Sequence, residues 1–159
     1  EGVKDLLQAK GGAVVLVSST AAPMNKTPEF VQMLLDGESE KATELSVSLS
    51  GHDVYSGTKH AVTRWMRSNV VEYASSGVRV NAIAPGYTET PMNFEAEKTE
   101  EFGDSIRQFK ASIPVGYSAQ PADQAAVACF LLSEEAKFVC GALIFVDGGH
   151  DALFRPNQF

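Results

Sequence analysis

Tyr55 and Lys59 stand four positions apart in Tyr55-Ser-Gly-Thr-Lys59, a spacing that stacks a phenol and an ammonium one turn apart on one helix face. A free tyrosine titrates near pH ~10 and is a poor base at neutral pH, but a neighbouring cation favours the phenolate. The pair can therefore move a proton. Further on, Asn81-Ala-Ile-Ala-Pro85-Gly86 reads as a strand running into a Pro-Gly turn, where a ligand can approach the backbone. Taken alone, Tyr55 also reads as a half-buried aromatic at a helix start and Lys59 as a solvated helix residue. The order of segments around them decides between these readings.

The elements that must hold such a pair alternate along the chain. Residues 1–10 read as the end of a helix (Val3, Leu6, Leu7), closed by Gly11-Gly12. Ala13-Val-Val-Leu-Val17 is apolar throughout, the mark of a strand covered on both faces. A helix is expected over 54–75, a strand over 78–83, a helix over 121–133 opening on Pro121, and a third buried strand at Ala142-Leu-Ile-Phe-Val146. Strands separated by helices imply right-handed crossovers and a parallel sheet, so the fold class is α/β, doubly wound and Rossmann-type. Residues 20–54 interrupt the rhythm. Thr27-Pro28 reads as an N-cap and first helical residue, with Phe30, Val31, Leu34 and Leu35 on one face. Gly37 stops that run and a second short helix follows over 39–45, making a helical hairpin inserted between a strand and its helix.

The 159 residues, 44% of them hydrophobic, suffice for one domain with a core. The net charge of −7 argues against nucleic acid and anionic membrane as partners. Six acids and two lysines fall in 21–54, and six acids and one lysine in 89–104, so both segments read as surface excursions. No stretch reaches the ~20 apolar residues that span a bilayer, and Glu1-Gly-Val-Lys-Asp5 lacks the features of a signal peptide. Cys129 and Cys140 read as small buried residues, and without metal or disulfide spacing they make a reducing cytoplasm the default location. His52, His60 and His150 are scattered, form no metal constellation, and read as surface or helix-packing residues.

In sequence order, G-G-A-V-V-L-V-S-S, Y-S-G-T-K, N-A-I-A-P-G-Y-T-E-T-P-M and V-D-G-G resemble the short-chain dehydrogenase/reductase family along essentially the whole chain. The resemblance implies interconversion of an alcohol and a carbonyl with NAD or NADP as cofactor. Tyr55 would be the general acid/base on the substrate oxygen. Lys59 would bind the nicotinamide ribose hydroxyls and favour the phenolate. Ser19 would donate a hydrogen bond to the substrate oxygen. Ser18 is its alternative, since only one of two consecutive strand residues faces the site, and the alignment from Gly11-Gly12 favours Ser19. Pro85 and Gly86 would line the nicotinamide, Gly86 allowing close backbone approach. Thr90 would contact the carboxamide, and Thr88, where an aliphatic residue is commoner, would do so through its backbone. Asn81 would brace strands.

Two departures qualify the resemblance. The Gly-rich turn that holds a pyrophosphate at a helix N-terminus, and the residue selecting NAD over NADP, have no counterpart here. Residues 1–159 are thus expected to be the C-terminal part of a dinucleotide-binding oxidoreductase domain, unable to hold a dinucleotide alone. From Ser19 to Tyr55 is 36 positions, far more than is usual in the family. The hairpin accounts for the excess. With the ending D-G-G-H-D-A-L-F-R-P-N-Q-F, it resembles the bacterial 3α-hydroxysteroid dehydrogenase/carbonyl reductase branch. An insertion there would block the family's usual contact through the tyrosine helix, implying a dimer through 121–147. Residues 88–118, with Met92, Phe94, Phe102, Ile106 and Phe109, resemble the family's substrate lid and suit a small hydrophobic substrate such as a steroid or aromatic ketone. A catalytically silent fragment or binding subunit, and a reductase of sugars or acyl chains, stand as alternatives. The enoyl-reductase branch is disfavoured, because its Tyr and Lys are spaced more widely.

Overall fold

The computed structural model describes residues 4–8, 11–100 and 103–158. Val3 and Phe102 lie outside the described residues. Along the chain come helix α1 (Lys4–Gln8), strand β1 (Ala13–Val17), a 3-10 turn (Ala22–Met24), then α2 (Pro28–Leu35), α3 (Ser39–Ser46) and α4 (Gly51–Ser75). Strand β2 (Arg79–Pro85), α5 (Pro91–Glu97), α6 (Gly103–Ala111) and α7 (Pro121–Leu132) follow. A second 3-10 turn (Glu134–Ala136), β3 (Leu143–Val146) and α8 (His150–Phe154) end the described chain. The strands form one parallel sheet in the order β1-β2-β3. Val15 pairs with Asn81 and Ile83 with Ile144. Helices α4 and α7 both pack on β1 and β2, as a doubly wound α/β fold requires.

The core lies where α4 crosses the sheet: Met66 and Tyr73 meet Val78, Val80 and Ala82, with Trp65, Val14, Leu16 and Leu143 packed around them. The apolar runs of β1 and β3 led to an expectation of burial for both, yet it is central β2, which contains Arg79 and Asn81, that is buried on both faces. Every residue of β1 and β3 keeps some exposure, and Val17 is 54% exposed. The cause is geometric: both are edge strands of a three-stranded sheet.

Helix α4 starts a turn earlier than its apolar pattern suggests. Ser50 Oγ accepts the Asp53 N–H at 3.1 Å and donates to Asp53 Oδ2 at 2.7 Å, a cap that draws Gly51–Val54 into the helix. Tyr55 therefore sits a full turn inside. The inserted hairpin is present as α2 and α3, but Thr27 caps nothing with its side chain. Its hydroxyl donates instead to Asn25 Oδ1 at 2.7 Å. Phe30 and Val31 are buried, and Phe30 packs on α4 at Gly57, where an added Cβ would meet Phe30 Cδ1 at 2.7 Å. Cys129 and Cys140, read as buried, are both exposed and free. The face of α7 that packs on the sheet buries Leu131, while Cys129 and Phe130 lie on its outer side.

Asn81 braces strands as expected. It is fully buried, donates from Nδ2 to Val139 O at 2.9 Å and accepts the Ala142 N–H at 3.0 Å, tying β2 to the approach of β3. Arg79 beside it donates to the carbonyls of Leu131, Ser133 and Val139, closing the C-terminal end of α7.

Candidate active site

A cleft of about 610 Å³ opens at the carboxyl ends of β1 and β2, where doubly wound folds bind their ligands. Ser19, Tyr55, Lys59, Pro85, Gly86, Thr88 and Thr90 all line it. They come from three separate stretches of chain: the end of β1, the first turns of α4, and the turn after β2.

Ser18 and Ser19 face different ways, as alternation demands. Ser18 is buried against α4, its Oγ 2.8 Å from Thr63 Oγ1 and donating to Lys59 O at 3.1 Å. Ser19 Oγ accepts the Ala21 N–H at 3.1 Å, and its proton has no acceptor among the described residues. Ser18 thus holds the helix, while Ser19 keeps a free donor. Tyr55 is 48% exposed into the cleft. The Lys59 ammonium lies 5.8 Å from the centre of its ring and donates to Val17 O at 3.1 Å, which ties α4 to the end of β1. A fixed positive charge beside a phenol stabilises negative charge developing on its oxygen.

The turn after β2 is built differently from expectation. Gly86 is required by a neighbouring strand: a Cβ there would meet Asp147 Cα and Cβ at 2.7 Å, and Gly86 N–H donates to Val146 O at 3.0 Å. The close approach that needs glycine is therefore made within the protein, against the end of β3. Thr88 is held from three sides. Its hydroxyl donates to Gly86 O at 3.2 Å and accepts from Gln124 Nε2 at 3.2 Å, and its carbonyl accepts from Asn93 Nδ2 at 2.7 Å. Its N–H makes no hydrogen bond among the described residues. Thr90 is the N-cap of α5, accepting the Asn93 N–H at 3.3 Å.

Sequence reasoning passed over Asn93 and Gln124, the residues that fix Thr88. Gln124 also donates to Val146 O at 2.9 Å, so one amide joins α7, β3 and the cleft turn, while its Oε1 is buried without a partner among the described residues. A polar pair, Asp123-Gln124, at the start of an otherwise apolar helix was the signal available. His52 and Phe109 also line the cleft. His150 is buried as a helix-packing residue, its ring centre 4.2 Å from that of Phe109 and 5.2 Å from that of Phe154.

A second tyrosine, Tyr87, lines the same cleft. Burial, the largest cause, raises its pKa, and Glu97, to which its hydroxyl donates at 3.4 Å, adds to this against the opposing Lys110 charge. A phenol held protonated in this way offers less phenolate to act as a base than a free one. Lys110 is raised in turn, first by its hydrogen bond to Glu97.

The family model described as "Enoyl-(Acyl carrier protein) reductase" matches residues 39–151. The chain is 39% identical over 153 residues to the 3-alpha-hydroxysteroid dehydrogenase/carbonyl reductase of Comamonas testosteroni, covering 92% of this chain and 58% of that protein. It is 41% identical over 105 residues to 3beta-hydroxysteroid dehydrogenase 1 of Eggerthella lenta, covering 66% of this chain and 39% of that one. The crystal structure of the 3-alpha-hydroxysteroid dehydrogenase from Pseudomonas sp. B-0831, complexed with NADH, matches with a TM-score of 0.92 at 38% identity. That match covers 99% of this chain and 63% of the Pseudomonas chain. The chain thus spans less than two thirds of the length of each of these relatives.

Proposed function

The chain belongs to the short-chain dehydrogenase/reductase family, and on that premise we propose that it serves a nicotinamide-dependent oxidoreductase interconverting a secondary alcohol and a ketone, acting on a hydroxysteroid or other hydrophobic carbonyl compound. The observation that carries this reading is the convergence of Ser19, Tyr55 and Lys59 on one cleft, with Lys59 tied to β1 through Val17. The spacing of Tyr55 and Lys59, one helical turn, favours alcohol and ketone chemistry over enoyl reduction, despite the wording of the family model.

The described groups fit the nicotinamide-ribose end of NAD or NADP. Lys59 uses one of its three protons on Val17 O and has two for ribose hydroxyls. Thr88 offers an unpaired N–H in a turn that Asn93 and Gln124 hold in place, and Pro85 and Gly86 form its floor. When bound, the nicotinamide supplies the hydride acceptor for alcohol oxidation or the donor for ketone reduction. Tyr55 Oη takes the hydroxyl proton of an alcohol, or returns one to the oxygen of a ketone. Ser19 Oγ–H donates to the same oxygen and orients it. The Lys59 charge stabilises the phenolate while the proton is away.

Residues 88–118 are assigned here as the substrate lid and 20–54 as an insertion of one domain. The assay is direct: the full-length protein, given NAD or NADP and a saturated steroid alcohol, is expected to produce reduced nicotinamide absorbance. Absence of any signal with steroid, sugar and acyl-chain alcohols alike would favour a silent binding subunit.

Phe130, Leu132 and the fully exposed Phe138 give the region of α7 and the following turn an apolar surface, while α2 covers part of α4. We assign the dimer contact to 121–147. Phe138→Lys is expected to shift the sedimenting species of the full-length protein from dimer to monomer; an unshifted dimer would move the contact elsewhere. Two exposed, unpaired cysteines support a reducing cytoplasm as its compartment.

A further inference from the structure

Beside the catalytic cleft lies a second chamber of about 370 Å³, within the range of small-molecule sites. The two share Thr20, Ala21, His52 and Phe109, so they adjoin along one wall. Three separate parts of the chain line it: Met24 from the turn that begins the insertion, Ile106 and Phe109 from α6, and Phe154 from α8. One side is a cluster of three rings. Phe109 and Phe154 each pack on His150, with ring centres 4.2 and 5.2 Å from it and 6.3 Å from each other. His150 is locked in that cluster. Ser112 Oγ donates to Phe109 O at 2.8 Å, so the remaining 2.8 Å contact is His150 Nε2–H donating to Ser112 Oγ.

A wall of aromatic rings is an apolar surface, complementary to an apolar ligand. Its chemistry separates the substrate classes open to the family. A sugar would need a hydrogen bond for each hydroxyl, and among the chamber's side chains Thr20 already donates to Pro85 O and His150 to Ser112, which leaves His52, Ser105 and His150 Nδ1, unpartnered among the described residues, to serve all of them. A flexible acyl chain loses rotamer freedom on burial that a fused-ring body has already given up.

We propose that this chamber receives the rigid, multi-ring apolar body of the substrate while its carbon–oxygen centre stays at Tyr55, and that Met24 and Phe154 set the size and fit of that body. The proposal rests on the alcohol–ketone reading above and names its substrate class. The helical insertion then belongs to substrate selection, through the residue at its entrance. Neither Met24 nor Phe154 carries any of the proton-transfer chemistry.

The test compares kcat/KM of the full-length protein, with its nicotinamide, for a saturated tetracyclic steroid alcohol and for cyclohexanol. In Met24→Trp, which fills the chamber, the steroid-to-cyclohexanol ratio is expected to fall about 100-fold. In Phe154→Ala, which removes half-exposed wall and leaves the core intact, it is expected to fall about 10-fold. A ratio unchanged in Phe154→Ala and in folded Met24→Trp overturns the chamber while leaving the oxidoreductase reading standing. Should wild type oxidise neither alcohol, that reading fails, and calorimetric binding of the same steroid still decides: weaker binding to the two variants supports the chamber, equal binding refutes it.

Discussion

Tyr55→Phe is expected to lower kcat about 1,000-fold while the Kd for the nicotinamide cofactor changes by no more than a few-fold. The magnitude follows from losing the group that carries the proton, a role worth about 100- to 10,000-fold. Little else should change. Tyr55 is 48% exposed, so removing its hydroxyl leaves no buried partner unsatisfied, and the Lys59 contact to Val17 O does not pass through it. Tyr87 is not expected to take its place, since its hydroxyl donates to Glu97 and burial raises its pKa, leaving less phenolate to accept a proton. Steady-state rates set beside cofactor titration by calorimetry separate the two effects. A variant retaining most of the wild-type rate would remove Tyr55 from the chemistry.

Gly86→Ala should damage both fold and cofactor binding. The new methyl group would lie 2.7 Å from Asp147 Cα, a backbone atom with no rotamer to escape into. Asp147 is itself fixed, its carboxylate accepting the N–H groups of Gly149 at 2.9 Å and Asp151 at 2.6 Å. The ends of β2 and β3 must therefore separate, breaking the Gly86 N–H bond to Val146 O. Overpacking of this kind costs about 3 kcal/mol. Urea denaturation of the full-length protein should show a lower midpoint, and cofactor titration a weaker Kd, because Thr88 moves with the turn. Unchanged stability would mean that the strand ends are looser than the contact implies.

These two residues mark where sequence reasoning reaches and where it stops. That Tyr55 and Lys59 share one helix face was legible from their spacing, and Ser19 was preferred to Ser18 through the family's alignment from Gly11-Gly12, alternation saying only that one of the two faces the cleft. The parallel order of strands and helices, and the inserted hairpin, followed from apolar periodicity and from Pro28 and Gly37. The purpose of Gly86 did not follow, because its constraint comes from Asp147, which the sheet brings from 61 residues away. Gln124 was missed for the same reason, its partner Thr88 lying 36 residues away, and Asn93 because a turn closing over five residues carries no periodic signal. The exposure of β1, β3 and both cysteines was unreadable too, since composition says how apolar a strand is and not what lies over it.

Gly57 stands between Tyr55 and Lys59 on α4, and its missing side chain is the hollow that Phe30 fills. Ancestry should leave a trace of this contact. A bulkier residue at position 57 would press on the Phe30 ring, so a lineage that enlarged it would have to repack the hairpin against the helix that carries the proton-transfer pair. Across descendants of a common parent, glycine at this point and an aromatic at the head of the insertion should be gained and lost together. The pair would then date the arrival of the hairpin more faithfully than its length, which surface helices can change freely.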